Sequence, residues 1–185
     1  MKEPQANDST AILRQFTAAL AFAAHKHQDQ RRKGSEASPY INHPIGLVHV
    51  LVHEGGIVDS DVLCAALLHD TIEDTETTEA ELAGLFGAGV AAIVAEVSDD
   101  RALKKAERKR HQTEHAPHLS ARAKLVKLAD KICNLRDIGE RPPDDWSLER
   151  KQEYFDWAKS VIDGLRGASP ALEAVFDAAY AKRPR

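Results

Sequence analysis

A twelve-residue stretch, Leu63 to Asp74, carries the strongest structural signal in the chain and reads L-C-A-A-L-L-H-D-T-I-E-D. An apolar run typical of a buried helix leads directly into four polar residues: His69, Asp70, Glu73 and Asp74. With about 3.6 residues per helical turn, Glu73 is expected one turn after His69, and Asp74 one turn after Asp70. Carboxylates beside a buried face are costly unless a cation or another partner neutralises them. The stretch therefore predicts a functional cluster, the alternative being a polar helix end that faces water.

Helical patterning predicts one all-α domain. The chain has 185 residues, a length suited to a single hydrophobic core, and we assign 1–185 to one domain with its core at about 10–182. Apolar residues recur at helical spacing in several segments, most clearly in 119–138, and no segment shows the regular alternation of a β-strand. The expected architecture is a multi-helix bundle.

The composition argues against several classes of protein. The formal net charge of −4 does not favour nucleic-acid binding, which usually needs a basic surface. The longest small-apolar run, Ala18 to Ala24, is far shorter than the ~20 residues of a membrane span, and the polar start shows no signal-peptide pattern. Cys64 and Cys133 lie in apolar helical patterns and are expected to be core residues rather than a disulfide, which fits a reducing compartment. We expect a cytoplasmic protein that binds neither nucleic acid nor membranes; no oligomeric state is indicated.

Two further candidate ligands lie far from the central stretch. His43 precedes Pro44, which disfavours helical backbone at the histidine and places its imidazole at a helix entrance. Asp130 lies within an otherwise apolar helical segment. Each has an ordinary structural explanation when taken alone. His43 would be a helix cap, and Asp130 would be a surface or salt-bridged aspartate beside Lys127 and Lys131.

Together these residues form a mixed set of metal ligands. Two imidazoles and two carboxylates are available, a set that suits Mn²⁺, Fe²⁺ or Zn²⁺. They belong to His43, His69, Asp70 and Asp130. This pattern resembles the H…HD…D signature of the HD-domain metal-dependent phosphohydrolases. More narrowly, three segments resemble the hydrolase domain of the RelA/SpoT alarmone enzymes, above all the small hydrolase-only metazoan SpoT homologues. They are Tyr40 to Pro44 (Y-I-N-H-P), Ala65 to Asp74 (A-A-L-L-H-D-T-I-E-D) and Ala123 to Asp137 (A-K-L-V-K-L-A-D-K-I-C-N-L-R-D).

The resemblance implies a fold, a cofactor and a reaction. It implies a helical bundle around a central metal site, in which the same four residues bind one Mn²⁺, with Zn²⁺ or Fe²⁺ as alternatives. It implies that Glu73 and Asp74 form the catalytic acidic pair, without indicating which of them is the base. The implied reaction is hydrolysis of the 3′-pyrophosphate of the alarmone (p)ppGpp, a small nucleotide, to GDP or GTP and pyrophosphate. The synthetase and regulatory domains of the long enzymes would need hundreds more residues, so we expect a stand-alone hydrolase.

Two basic clusters are candidates for binding an anionic substrate, although such runs are usually solvated helix faces. They are Arg31-Arg32-Lys33, and Lys104-Lys105 with Arg108-Lys109-Arg110. The resemblance implies that Arg32 lies against the guanine, where a flat guanidinium can stack, and that Lys33 helps to enclose the nucleotide. It implies that Lys105 contacts the phosphates. Arg108 and Arg110 are interpreted as solvated side chains.

Three positions in the C-terminal half complete the implied substrate contacts. Asn134, one helical turn after Asp130, is expected to face the same cavity and to contact the ribose or base. Arg150 and Tyr154, also one turn apart, are expected to line the wall near the ribose and its phosphates. Tyr154 has an alternative interpretation as a core residue packed with its aromatic neighbours.

Two other functions remain consistent with these motifs. One is an HD phosphohydrolase acting on another nucleotide, such as an NADPH 2′-phosphatase or a deoxynucleotide 5′-phosphatase. The other is a non-catalytic sensor that binds the alarmone without hydrolysing it. The acidic pair Glu73 and Asp74 beside a complete ligand set argues against the sensor, because a protein that only binds has no need of acid–base groups.

Overall fold

The structure, a computed structural model, describes the backbone of residues 5–34 and 36–185 and the side chains of 9–34 and 36–185. Within these residues it is all-α, as predicted: no strand is present, and β-type pairing is limited to an isolated bridge between Arg31 and Pro39. The α-helices, numbered in chain order, are α1 Gln5–Lys26, α2 Asn42–His49, α3 Ser60–Leu68, α4 Thr71–Asp74, α5 Glu79–Phe86, α6 Ala88–Val97, α7 Lys105–His115, α8 Ala121–Glu140, α9 Leu148–Asp163 and α10 Pro170–Tyr180. A π-helical turn, Val50–Glu54, extends α2, and a 3₁₀ turn, Ala116–His118, follows α7. None of the described helices is long and apolar enough to cross a membrane.

Polar side chains fix where five of the helices begin. In each case a side-chain oxygen accepts a hydrogen bond from a backbone N–H in the first turn of the following helix, α3, α5, α8, α9 or α10. Such a cap is worth about 1 kcal/mol, because it satisfies an N–H that the helix itself leaves unpaired. The capping residues are Asp59, Thr78, Ser120, Ser147 and Ser169.

Helices α3 and α8 form the centre of the bundle. Helix α3 packs against α1, α2, α6 and α8, and α8 packs in addition against α9 and α10. The apolar run that precedes His69 is buried, as the sequence predicts for a core helix. The predicted helix over 119–138 is α8, with both ends two residues later than predicted. The central helices therefore bring the end of α3 close to the middle of α8.

The helix predicted to carry the whole acidic cluster is interrupted. Helix α3 ends at Leu68, and the short α4 begins at Thr71, so His69 and Asp70 lie in a turn between two helices. The backbone of Asp70 (φ −99°, ψ 0°) lies at the edge of the right-handed helical region, and the Thr71 hydroxyl donates to the Leu68 carbonyl oxygen at 2.7 Å. A threonine that bonds locally to the backbone competes with the helical hydrogen-bond ladder. As a consequence Glu73 belongs to a separate helical turn rather than to the helix of His69.

The apolar contact between α8 and α9 yields a stability prediction. Phe155 on α9 is fully buried, and its ring approaches the position that a Cβ on Gly139 of α8 would occupy. We expect Phe155→Ala to lower the free energy of unfolding by about 3–5 kcal/mol, because the lost burial is compounded by a cavity. Urea denaturation measures the loss. Leu148→Ala, at the exposed start of the same helix, is the control and should cost less than about 1 kcal/mol; equal losses would contradict this packing.

Candidate metal centre and active site

Three of the four predicted metal ligands meet at one point in the bundle. His43 is in the first turn of α2, His69 follows the last residue of α3, and Asp130 lies in the middle of α8. One ligand atom from each lies within 4.8 Å of the other two, and all three residues are buried or nearly so. Residues separated by as many as 87 positions in the sequence thus form a compact cluster.

Asp70, the fourth predicted ligand, borders this cluster. Its Oδ2 lies 2.8 Å from Nε2 of His69 and also accepts a hydrogen bond from the hydroxyl of Tyr40. Tyr40 lies just before α2, so its hydroxyl ties the turn between α3 and α4 to the entrance of α2. The sequence did not identify this contact, although Tyr40 is part of the Y-I-N-H-P motif.

The hydrogen bonds of the two histidines fit a bound cation. Nδ1 of His69 lies 2.9 Å from the Ala66 carbonyl oxygen, which requires that nitrogen to carry the proton and leaves Nε2 with a free lone pair. Among the described residues, Nδ1 of His43 is buried with no hydrogen-bond partner, and Nε2 of His69 is buried beside Oδ2 of Asp70, at 2.8 Å, without a hydrogen bond of acceptable geometry. Buried polar atoms in proteins are normally paired, and metal-binding histidines usually donate their other N–H to a carbonyl or carboxylate. These residues therefore suit a divalent metal ion.

The charges around the cluster are also those that a metal site requires. Burial alone would raise the pKa of both Asp70 and Asp130, but the neighbouring cations and histidines outweigh it and hold both pKa values below their usual range. Burial lowers the pKa of His43 and favours its neutral form. Two anionic carboxylates and the neutral imidazole of His43 can coordinate a cation without first losing a proton. Burial opposes protonation of His69, but the charge of Asp70 outweighs it and raises the pKa of His69, so a metal ion there would displace a proton.

Asp130 is also salt-bridged, as its alternative interpretation proposed, but at a buried rather than a surface position. Its Oδ2 lies 3.1 Å from Nζ of Lys131, while Nε2 of His43 lies 3.3 Å from its Oδ1. The Lys131 ammonium lies 4.4 Å from the centre of the Trp157 ring, so a cation–π contact fixes its other side. Lys131 therefore orients the carboxylate that faces the two histidines. Its position next to Asp130 in the sequence was the available signal for this role.

The two members of the acidic pair differ in their surroundings. Glu73 accepts hydrogen bonds from the backbone N–H of Asp99 at 3.2 Å and from the Arg108 guanidinium at 3.2 Å. Burial, together with the charges of Asp99 and Asp70, raises the pKa of Glu73 to about 7. Asp74 is more exposed, and its pKa is also raised, first by partial burial and then by Asp70. A carboxyl group that titrates near neutral pH is suited to general acid–base catalysis.

The metal cluster opens into a second, larger cavity. A cavity of about 350 Å³ is bordered by both histidines and both aspartates of the cluster, and it shares the acidic pair with a neighbouring cavity of about 880 Å³. The larger cavity is lined by every residue that the sequence assigned to the substrate: Arg32, Lys33, Lys105, Asn134, Arg150 and Tyr154. The structure thus brings the predicted substrate residues, the acidic pair and the metal cluster into one continuous cleft.

Hydrogen bonds between side chains fix the part of the cleft around Arg32. The guanidinium of Arg32 donates to Oδ1 of Asn134 and to Oδ2 of Asp137, both at 2.7 Å, and lies 5.7 Å from the centre of the Tyr40 ring. Asn134 in turn donates to Oδ1 of Asp130 at 2.5 Å. A continuous network therefore connects the predicted base-binding arginine to the metal cluster.

Aromatic rings and cations line another part of the larger cavity. The ring centre of Tyr154 lies 5.7 Å from that of Trp146 and 5.2 Å from that of Trp157. The Arg150 guanidinium lies 4.5 Å from the Trp146 ring centre, and the Lys109 ammonium lies 4.8 Å from that of Trp157. Tyr154 thus packs against its aromatic neighbours, as its alternative interpretation proposed, and it also lines the larger cavity.

The interpretation of Arg108 as a solvated side chain is wrong. Arg108 pairs with Glu73 and borders both cavities, whereas Arg110 is exposed, as expected, and contacts Glu114 at 3.7 Å. The two arginines lie on opposite sides of a helix whose sequence is polar all round, so no hydrophobic stripe distinguishes its inner face. The sequence also did not identify Asp99. It is one of two adjacent aspartates in the loop after α6, and no pattern distinguishes it from its neighbour.

An all-α bundle in which histidines and aspartates from separate helices meet beside an acidic pair defines an HD-domain protein, and residues 19–156 match the family model described as HD domain. The chain is 55% identical to guanosine-3′,5′-bis(diphosphate) 3′-pyrophosphohydrolase MESH1 of Danio rerio, over 95% of this chain and 96% of that protein. It is 54% identical to the protein of the same name from Homo sapiens, over 91% and 94% of the respective chains. This chain therefore belongs to the MESH1 family of HD-domain proteins.

A solved structure supports the same assignment at the level of the fold. It is described as a metazoan orthologue of SpoT that hydrolyses ppGpp and plays a role in starvation responses. The two chains superpose with a TM-score of 0.89 at 45% sequence identity, and the match covers 99% of this chain and 98% of the other. The helical order described above is therefore that of a known hydrolase along essentially the whole chain.

Proposed function

We propose that this chain is a metal-dependent hydrolase that removes the 3′-pyrophosphate of guanosine 3′,5′-bis(diphosphate) to leave GDP, and that of the pentaphosphate form to leave GTP. The observation that carries the proposal is a buried cluster of histidines and aspartates that opens into a cleft lined with cations. The high identity to proteins named for this reaction supports the choice of substrate. The products require that water adds to the phosphorus next to the ribose and that the bond from this phosphorus to the 3′ oxygen breaks.

The metal we propose is one Mn²⁺, with Zn²⁺ or Fe²⁺ as alternatives that the same ligand types accept. Its ligands would be His43, His69, Asp70 and Asp130, of which three already have ligand atoms within 4.8 Å of one another. A divalent cation bound there supplies positive charge beside the phosphoryl group and makes a coordinated water more acidic. The chain itself holds the ligands in place through the Ala66 carbonyl, the Tyr40 hydroxyl and the Lys131 ammonium.

Glu73 and Asp74 would move the protons. We assign the role of proton acceptor for the attacking water to Glu73, because donors fix both of its oxygens and its pKa of about 7 lets it take a proton near neutral pH. Asp74 would deliver a proton to the departing 3′ oxygen, a role favoured by its pKa, which partial burial and Asp70 raise. One proton leaves water and one reaches the ribose oxygen, so no covalent intermediate with the protein is needed.

The cations of the larger cavity would bind the nucleotide. Arg32, whose guanidinium is fixed at its edge by Asn134 and Asp137 and lies 5.7 Å from the Tyr40 ring centre, borders the larger cavity and would stack on guanine with its flat face. Lys33 would enclose the nucleotide, and Lys105 and Arg150 border the same cavity and would meet the phosphates. These four cations would offset the negative charge of the substrate in a chain whose overall charge is −4.

The decisive experiment is product identification with the metal-loaded protein. We expect the Mn²⁺-loaded chain to convert guanosine 3′,5′-bis(diphosphate) to GDP and pyrophosphate, resolved by anion-exchange chromatography, and we expect a chelator to stop the reaction. NADPH and deoxynucleotide monophosphates serve as competing substrates in parallel reactions. Tight alarmone binding with no pyrophosphate would indicate a sensor instead. A higher kcat/KM for NADPH would indicate that the alarmone is not the preferred substrate.

The Tyr40 hydroxyl yields a prediction about metal affinity. Because it donates to a proposed ligand, Asp70, we expect Tyr40→Phe to weaken metal binding by about 10- to 100-fold, the usual effect of removing a group that orients a ligand. A competition titration against a chromophoric chelator measures the change. The matched control is Tyr180→Phe, which removes a hydroxyl bonded to Asp156 at an exposed site and should leave the affinity unchanged. Equal affinities for the wild type and Tyr40→Phe would exclude this role.

We also propose that 1–185 acts as one hydrolase domain and works in the cytoplasm. Cys64 and Cys133 are both free and buried, which fits a reducing compartment. The proposed partner is the nucleotide alone, without nucleic acid or membrane. Fractionation of the native cell, with the chain found outside the cytoplasmic fraction, would contradict this location.

A further inference from the structure

Helix α7 is attached to the bundle mainly by polar side chains. Of its residues, all within the described part of the chain, none is buried. Gln112 donates to Oδ2 of Asp99 at 2.6 Å, and the carbonyl oxygen of Lys109 accepts from the Trp157 indole N–H at 3.0 Å. A further link to the active site is the pair formed by Arg108 and Glu73. The position of this helix is therefore coupled to the active-site acids through hydrogen bonds and charge.

Two hydrogen bonds, one from Arg108 and one from the backbone of Asp99, fix the carboxylate of Glu73. Nη1 of Arg108 lies 3.2 Å from Oε1 of Glu73, and the N–H of Asp99 lies 3.2 Å from Oε2. Asp99 is itself tied to α7 through Gln112. The Arg108 and Glu73 side chains are only 32% and 22% exposed, so the pair is partly screened from solvent. Both oxygens of Glu73 thus receive hydrogen bonds from a scaffold of which α7 is part.

Arg110, on the same helix, is an arginine that does not contact the active site. Arg110 is 69% exposed and contacts only Glu114, one turn later on α7, at 3.7 Å among the described residues. Exposed ion pairs of this kind contribute little to the free energy of unfolding. Arg108 differs because it crosses to a separate helical turn, 35 positions away in the sequence, and contacts a group that the proposed reaction uses.

We propose that Arg108 is a positioning residue for Glu73, acting through the carboxylate and not on the substrate. This inference rests on the proposed function, because it assigns a task to the proton acceptor of that reaction. The guanidinium directs one oxygen of Glu73 while the backbone of Asp99 directs the other, so that the carboxylate keeps one orientation toward the cavity that contains the metal ligands.

The surrounding cations support this role over direct substrate binding. Lys105, one turn before Arg108 on α7, borders the larger cavity and carries no ion pair in the described structure, so its charge is available to a phosphate. The Lys109 ammonium lies over the aromatic wall, 5.7 Å from the ring centre of Tyr154. Arg108, by contrast, has its charge committed to Glu73. Helix α7 therefore combines a cation free for the substrate with one that serves the catalytic acid.

A double-mutant cycle tests the proposal. We expect Arg108→Met to lower kcat by about 5- to 100-fold with KM changed less than about 3-fold, because contacting groups are coupled to this extent. Arg108→Lys, which keeps the charge but loses the planar fork, should recover part of the loss. In a Glu73→Gln background the Arg108→Met change should lower kcat by less than about 2-fold. Single-turnover reactions with labelled alarmone measure each variant, and Arg110→Met is the matched control with no expected effect.

The opposite results overturn the proposal. Equal losses from Arg108→Met in the wild-type and Glu73→Gln backgrounds would mean that Arg108 acts on the substrate or on the fold. Calorimetric titration of the Glu73→Gln protein with alarmone separates these two, because a loss of affinity on adding Arg108→Met identifies a substrate contact. Thermal melting of the same variants identifies a loss of structure.

A further measurement does not depend on hydrolysis. In protein labelled with ¹³C at glutamate carboxyl groups, the Glu73 resonance is assigned by its absence in Glu73→Gln. We expect this resonance to move in Arg108→Met and to stay in place in Arg110→Met. An unmoved resonance would overturn the inference whatever the protein hydrolyses, whereas a wild type that releases no pyrophosphate would contradict the proposed function alone.

Discussion

Replacing Glu73 with glutamine is expected to lower kcat for alarmone hydrolysis by about 10²–10⁴-fold, the usual contribution of a positioned acid or base. Glutamine keeps the size of the side chain, but its single oxygen can accept from only one of the two donors, Arg108 or the N–H of Asp99, and it cannot take a proton. The proposed metal ligands are not altered, so the metal content should stay that of the wild type. Anion-exchange assays give the rate, and elemental analysis of the same samples gives the metal.

The neighbouring Glu76 provides the control for this substitution. It is exposed, three positions after Glu73, and does not border either cavity in the described structure. Glu76→Gln makes the same chemical change and should leave kcat and metal content unchanged. A Glu73→Gln protein with near-normal turnover would remove Glu73 from the proton-transfer step. A variant without metal would show instead that Glu73 acts through the cation.

Helical periodicity was sufficient to predict the elements of the core. The apolar spacing over 119–138 predicted α8 to within two residues, and the run before His69 predicted α3. The interruption between α3 and α4 was not predicted, because the turn at Asp70 depends on a local hydrogen bond of Thr71 that competes with a helical pattern continuing on both sides. Periodicity records which face is buried, whereas the end of a helix is decided by single side chains.

The meeting of the site residues was predicted by resemblance rather than by pattern. Nothing in the spacing of His43, His69 and Asp130 requires them to converge, since loop and helix lengths between them determine the outcome. Residues that support the ligands were harder to find. Tyr40 and Lys131 stand next to recognised positions and could have been suspected, but Arg108 belongs to a charged helix without a hydrophobic stripe. The position of α7 on the bundle determines the partner of Arg108, and this position cannot be deduced from the sequence of α7 alone.

Asp130 has more contacts within the cluster than its role as a proposed ligand requires. It lies 3.3 Å from Nε2 of His43, pairs with Nζ of Lys131 at 3.1 Å and accepts from Asn134 at 2.5 Å. Burial opposes its ionisation, yet Lys131 and His43 hold its pKa well below the usual range. One carboxylate therefore neutralises a buried lysine and contributes negative charge to the cation site. Its removal should affect metal affinity and folding together.

We expect Asp130→Asn to weaken metal binding by more than about 100-fold, since even groups that only orient a ligand are worth 10- to 100-fold. Without metal, the variant should also lose about 3–5 kcal/mol of unfolding free energy, because Lys131 stays buried without its anionic partner. Chelator competition and urea denaturation of the metal-free protein measure the two effects. Asp137→Asn, two turns later on α8 and bonded to Arg32, is the control and should keep the metal. Normal metal affinity in Asp130→Asn would show that the cation binds without this carboxylate and would refute the proposed ligand set.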